Sequence, residues 1–184
     1  MPVEIRRLTP GEFTLLVPQL VDIYLAAMEY NPQIRDQRIR VWKDEVTWPG
    51  FTAVAAVDGD EVVGVAYGFL GSRERWWDRQ LVRAMRGSGQ LTEQHRAILD
   101  SYFEVTEVHV APGRQGAGIG AALLQELLRN ASAEWALLST PEVDNEANHA
   151  FHLYRRFGFT DIARGYRYPG DHRPFAILGR PLPL

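Results

Sequence analysis

The mix of apolar and polar positions from Val3 to Leu8 reads as a first strand. Thr9-Pro10-Gly11-Glu12 then has the letters of a capping box: a threonine that can accept from a first-turn amide, a proline suited to the first helical position, and a glutamate that can reach back. Phe13, Leu16, Val17, Leu20, Val21, Tyr24, Leu25 and Met28 recur at helical spacing and predict one long helix. Pro18 should kink or split it, because proline lacks the amide and crowds the preceding turn. A shorter helix is predicted from about Ile34 to Val46.

Phe51 to Val57 and Glu61 to Leu70 are strand patterns joined by the tight-turn letters Asp58-Gly59-Asp60, a β-hairpin. From about 72 to 101 the chain is charged and helical in pattern. Trp77, Leu81, Ala84 and Met85, then Leu91, Ile98 and Leu99, recur at near-helical spacing, and Gly87-Ser88-Gly89 would let the two pieces hinge as a lid. Tyr102 to Val110 reads as a strand, Ile119 to Leu128 as a helix and Trp135 to Thr140 as a strand. Asn145 to Phe157 reads as a helix stopped by Gly158, and Phe159 to Tyr168 and Pro174 to Leu182 close the chain as strands. The order predicts an α/β (α+β) fold, a mixed sheet with helices packed on it, in a single domain over 1–184 with a helical insert at about 72–101.

The stretch richest in chemistry runs from Glu107 to Gly120: a strand ends, a short turn follows, and a glycine-rich loop opens an amphipathic helix. A helix N-terminus carries about half a positive charge and several amides without intrahelical partners. Glycines there let a phosphate approach those amides, so the segment suits a pyrophosphate. The same letters also serve a turn that merely lets helix and strand pack closely. Gly116, Gly118 and Ala121 match the dinucleotide fingerprint, but too few residues remain downstream for the further βα units of a doubly wound domain. The phosphate loop ending in Lys-Ser/Thr is absent, which removes support for nucleoside triphosphate hydrolysis.

Composition narrows the field. The chain has 184 residues, 46% of them hydrophobic, and no cysteine, so disulfides, cysteine-ligated metal and a thiol nucleophile are all excluded. A net charge of -3 gives no general basic footprint for nucleic acid or an anionic membrane. The apolar runs fall short of the roughly 18 residues of a membrane span, and the start Met1-Pro2-Val3-Glu4 does not resemble a signal peptide, so a cytoplasmic location is expected.

Gln115-Gly116-Ala117-Gly118-Ile119-Gly120 resembles the Gln/Arg-x-x-Gly-x-Gly/Ala signature of the GNAT N-acetyltransferases, and Asn148-His149-Ala150-Phe151-His152-Leu153-Tyr154-Arg155-Arg156-Phe157-Gly158-Phe159 resembles that family's Asn-x-x-Ala-x-x-Leu/Phe-Tyr-x-x-x-Gly-Phe helix. The asparagine of that pattern falls one residue late, at Asn148, with Ala147 in its usual place. The resemblance implies a GNAT-like, mostly antiparallel central sheet of about seven strands flanked by helices. It implies acetyl-CoA as co-substrate, with the pyrophosphate on the amides of Gln115, Gly116, Ala117, Gly118, Ile119 and Gly120, the pantetheine arm along Val108, His109 and Val110, and Asn148 as a further contact. No metal is implied.

Acetyl transfer from a thioester to an amine requires that the amine lose a proton, the oxyanion be held and the departing thiolate be protonated. Three residues are candidates. Tyr154 matches the family tyrosine beside the thioester, although it also sits on an apolar helix side with Ala147, Ala150, Phe151 and Phe157. Glu104 stands eleven residues before Gln115, a spacing that resembles the catalytic glutamate of the histone-modifying branch. Glu107 lies nearer the expected thioester. A regular strand points 104 and 107 to opposite faces, unless a bulge intervenes. Either can equally be a solvated residue or an ion-pair partner, and a base acting through water stays open.

His149 and His152 lack a third ligand at zinc-protease spacing and read as solvated helix residues, and His109 is likewise expected to point outward. Trp76-Trp77 and the arginines at 73, 75, 79, 83 and 86 suggest an acceptor-facing insert or ordinary packing with a basic solvated face. The resemblance implies an amine acceptor, a small molecule or a peptide, with no nucleic-acid or membrane partner expected, and exposed edge strands at the C-terminus would permit a homodimer. A non-catalytic acyl-CoA-binding module and a dinucleotide-dependent oxidoreductase are the competing readings.

Overall fold

In the computed structural model, which describes residues 2–184, seven strands are joined by six α-helices. They are β1 (Glu4–Leu8), α1 (Pro10–Met28), α2 (Arg35–Glu45), β2 (Thr52–Asp58), β3 (Glu61–Leu70), α3 (Trp76–Arg86), α4 (Glu93–Asp100), β4 (Tyr102–Val110), α5 (Ile119–Leu128), β5 (Trp135–Pro141), α6 (His149–Arg156), β6 (Thr160–Tyr166) and β7 (Phe175–Pro181). The sheet order is β1-β2-β3-β4-β5-β7-β6. β1–β2, β2–β3, β5–β7 and β6–β7 are antiparallel, whereas β4 and β5 run parallel. This is the mixed sheet that the element order predicts, mostly antiparallel as the family resemblance implies. The described residues form two compact units, one of residues 2–69 and 105–129, the other of residues 70–104 and 130–184.

In the first unit, the capping box holds α1 at its start: the Glu12 amide donates to Thr9 Oγ1 at 3.1 Å, and the Thr9 amide donates to Glu12 Oε1 at 3.0 Å. Pro18 does not split the helix, which runs unbroken to Met28. Phe13 and Val17 before the proline, and Leu20, Val21 and Tyr24 after it, are buried in the same core, so packing keeps both halves helical where one hydrogen bond is missing. Trp42 of α2, Ala53 and Ala55 of β2 and Val65, Tyr67 and Phe69 of β3 complete that core. With 19 residues, α1 is long and apolar enough to cross a membrane, longer than the apolar runs suggested. Its buried stripe instead faces the strands and α2.

In the second unit, the stretch 72–101 forms α3 and α4. Trp77, Leu81 and Met85 of α3 and Ile98 and Leu99 of α4 are buried together with Tyr102, Leu137 and Ile177. The insert is thus a packed layer of its unit rather than a loosely attached lid. Gly87 ends α3 at φ 53°, its amide bonded to Arg83 O at 3.1 Å, so the glycine break serves as a helix stop.

Candidate active site

Each half of the predicted chemistry can be followed in its own unit. In the first, β4 leads through a turn to α5. The Gln115 side chain donates back to Val110 O at 3.2 Å, and Arg114 pairs with Asp58 at the end of β2, beside the hairpin turn. The guanidinium of Arg114 holds the Asp58 carboxyl below its usual range. The turn letters therefore anchor the glycine loop as well as closing the hairpin.

Gly118 caps α5 from the left-handed region at φ 83°, and no described residue lies within 4 Å of where its Cβ would stand. Among the described residues, no side chain caps the amides that open the helix. A glycine here leaves first-turn donors exposed to a ligand, and the helix dipole adds to their pull on an anion. Gln115, Gly116, Ala117 and Gly118 are exposed, Ile119 is buried and Gly120 half-buried. Gln115, Ala117, Gly118 and Ile119, with Val3 and Ile5, line an open cleft of about 430 Å³.

Glu107 and His109 occupy one side of β4, as residues two apart must. Their side chains meet, Nε2 of the ring against Oε2 of the carboxylate. The expectation of an outward His109 fails: the residue is 9% exposed, and Tyr24 of α1 packs edge-on against its ring at 5.1 Å. Val108 and Val110 alternate with it and are half-buried.

In the second unit, the parallel ladder of β4 with β5 covers Tyr102, Phe103 and Glu104, opposite Trp135, Ala136 and Leu137. Glu104 is 7% exposed, and its Oε2 lies 3.4 Å from Arg75 Nε. Beside it the Tyr102 hydroxyl donates to Asp78 Oδ2 at 2.8 Å. Burial first, then the Asp78 charge, push that hydroxyl well above the ordinary tyrosine range. Of the arginines around α3, Arg75 is half-buried against Glu104, whereas Arg73 reaches Asp100 at 3.1 Å on the surface.

Tyr154 lies on the buried side of α6 with Phe151, 8% exposed, its ring centroid 5.9 Å from that of Phe159. The helix starts later than its apolar spacing suggests. Asn145 and Glu146 adopt left-handed backbone at φ 55° and 53°, so the regular helix begins only at His149. Asn148 is its N-cap: Oδ1 accepts from the Phe151 amide at 2.8 Å. That bond fixes the side chain and leaves the amide nitrogen, which only donates, as the group with which Asn148 could contact an anionic ligand. His149 and His152 are exposed, as expected of solvated helix residues.

Sequence reasoning overlooked Arg75 as the partner of Glu104, Asp78 as the partner of Tyr102, and the Glu107–His109 pair. Only the last had a readable signal, the spacing of two in a strand.

A family model described as acetyltransferase (GNAT) domain matches residues 48–161. The GCN5-like protein acetyltransferase Rv2170 of Mycobacterium tuberculosis is 38% identical over 199 residues, covering 96% of this chain and 97% of the relative. Among solved structures, the ribosomal-protein-S18-alanine N-acetyltransferase of Escherichia coli superposes with a TM-score of 0.64 at 13% identity, covering 100% of this chain and 96% of that one. An aminoglycoside 6'-N-acetyltransferase complexed with coenzyme A gives 0.64 at 17% identity, with 98% of both chains covered. At those identities the two structures share the fold. The model over more than half of the sequence and the relative matched almost end to end carry the assignment: this chain belongs to the GNAT acetyltransferase family.

Proposed function

We propose that the protein transfers an acetyl group from acetyl-CoA to a primary amine on a protein, by direct attack of the amine in a ternary complex. The observation that carries the cofactor is the loop at Gly118, where a positive φ, open space at the Cβ position and uncapped helix amides suit a pyrophosphate. Gln115 to Gly120 would hold that group, with the main chain of Val108, His109 and Val110, and Asn148, as further contacts. Bound acetyl-CoA supplies the activated acetyl group as a thioester. With no cysteine in the chain, a thiol acyl-enzyme has no nucleophile, which favours direct attack. The coenzyme A in the aminoglycoside acetyltransferase structure supports the choice of co-substrate. The relative named a protein acetyltransferase supports a protein amine as acceptor.

Within this reading Glu107 takes the acceptor proton, because its carboxylate is held by an imidazole, whereas Glu104 faces the guanidinium of Arg75. Tyr154 is the proton donor to the leaving sulfur, and a cytoplasmic setting fits the cysteine-free chain. Calorimetry with CoA, followed by thiol-release assays on a lysine peptide, a polyamine and an aminoglycoside, tests the proposal. CoA binding with release on the lysine peptide supports it. Binding without turnover on any amine makes the chain an acyl-CoA-binding module, and preference for NAD(P) rejects the cofactor assignment.

A further inference from the structure

We infer that His109 is a positioning residue for Glu107, an assignment that rests on the acetyltransferase reading above with Glu107 as base. A carboxylate only accepts hydrogen bonds, so the Nε2 that meets Glu107 Oε2 carries the proton and donates it. That bond fixes one carboxylate oxygen and turns the other, Oε1, into the defined acceptor of a proton. Such a role requires a ring that cannot swing. His109 is 9% exposed, and Tyr24 packs edge-on against it. Tyr24 is itself held between Trp42 at 5.4 Å and Tyr30 at 5.4 Å, with the Arg38 guanidinium 5.5 Å over its ring. Three aromatic rings from α1, α2 and their connection thus set the direction of a side chain on β4.

The step this orientation serves begins with an acceptor ammonium giving one proton to Glu107 Oε1. Its nitrogen then forms the new C–N bond as the C–S bond breaks and the electron pair leaves on sulfur. The nitrogen sheds a second proton and the sulfur takes one up, so one proton in all passes to solvent. An imidazole that only filled space beside Tyr24 would leave this step unchanged when replaced by an apolar group of similar size. One that orients the carboxylate would slow it, and an amide nitrogen at the position of Nε2 would restore it.

The test compares His109→Leu, His109→Gln and His109→Asn, with a lysine peptide and acetyl-CoA as substrates. Glutamine can place a donor near Nε2, while asparagine is too short to reach Oε2. The expected result is a fall in kcat of about 10- to 100-fold for Leu and Asn, recovery to within about 5-fold for Gln, and a KM for acetyl-CoA within about 2-fold throughout. In a Glu107→Gln background His109→Leu should add almost nothing, because the two residues act as one unit. In the protein without CoA, Glu107→Gln should also shift the His109 Nε2 signal in nitrogen NMR. Unchanged kcat in the Leu variant, equal losses in Gln and Asn, multiplying losses in the double variant, or an unmoved NMR signal each overturn the assignment. Should the Leu variant not fold, the Gln–Asn pair gives the same comparison. A wild-type protein that never turns over on any amine rejects the acetyltransferase reading, and this inference with it.

Discussion

Arg75 at the start of the insert and Glu104 on β4 form an ion pair at 3.4 Å, their side chains only 16% and 9% exposed. Breaking such a pair strands a charge in a nearly dry site, whereas replacing both partners removes the problem. Arg75→Met should therefore cost about 3–5 kcal/mol in urea denaturation, and Arg75→Met with Glu104→Met should recover most of it. A single variant as stable as the wild type would mean that solvent reaches the pair.

The loop glycine separates folding from binding. A Cβ at Gly118 meets no atom of the described residues within 4 Å, but the residue must adopt φ 83°, so the folding cost is confined to the backbone. Gly118→Ala should lose about 1–2 kcal/mol of stability. Gly118→Glu should cost a similar amount yet abolish CoA binding, because it sets a negative charge where a pyrophosphate is proposed. Calorimetry on the folded Glu variant with unchanged CoA affinity would remove the loop from the site.

Tyr154→Phe keeps the ring packed against Phe159 and removes only the hydroxyl. The melting temperature should stay close to that of the wild type while kcat falls roughly 10- to 1,000-fold, with little change in cofactor affinity. Full activity would leave Tyr154 as a packing residue.

Neighbouring tryptophans have opposite fates. Trp77 is buried and donates its indole N–H to the Tyr168 hydroxyl at 3.0 Å, which donates onward to Ser139 Oγ at 2.8 Å. Trp77→Ala should destabilise the protein by about 3–5 kcal/mol. Trp76 is 49% exposed, so Trp76→Ala should leave stability almost intact and raise KM for the amine alone. A selective rise in KM for acetyl-CoA instead would place this end of the insert with the cofactor.

Acid should loosen the connection before α6. The Arg155 guanidinium, joined by Arg164, holds the Glu146 carboxyl down at about 2, against an ordinary value of 4.5. A carboxyl depressed in the folded state contributes its full stabilisation above the unfolded value and loses it as pH falls through the folded one. The melting temperature should thus decline between about pH 4.5 and 2, and Glu146→Gln should flatten part of that decline. An unchanged slope would show that the pairs on this surface are screened by water.

The local pattern alone determined the strands, the long helix, the capping box and the glycine turn before α5, because periodicity and cap chemistry depend on residues only a few positions apart. An odd spacing also pointed Glu104 and Glu107 to opposite faces of a regular strand, and the structure gives them different partners. What stands opposite each of them was decided by tertiary structure. Arg75 reaches Glu104, and Tyr24 reaches His109, across long stretches of sequence, and no period encodes which helix will cover which side of a strand. The insertion of β7 between β5 and β6 is of the same kind, since pairing of distant strands depends on how their faces pack. Even α6, read from its apolar spacing, begins later than that spacing suggests. The Arg155 and Arg164 pairs with Glu146 accompany a left-handed backbone there that side-chain periodicity does not record.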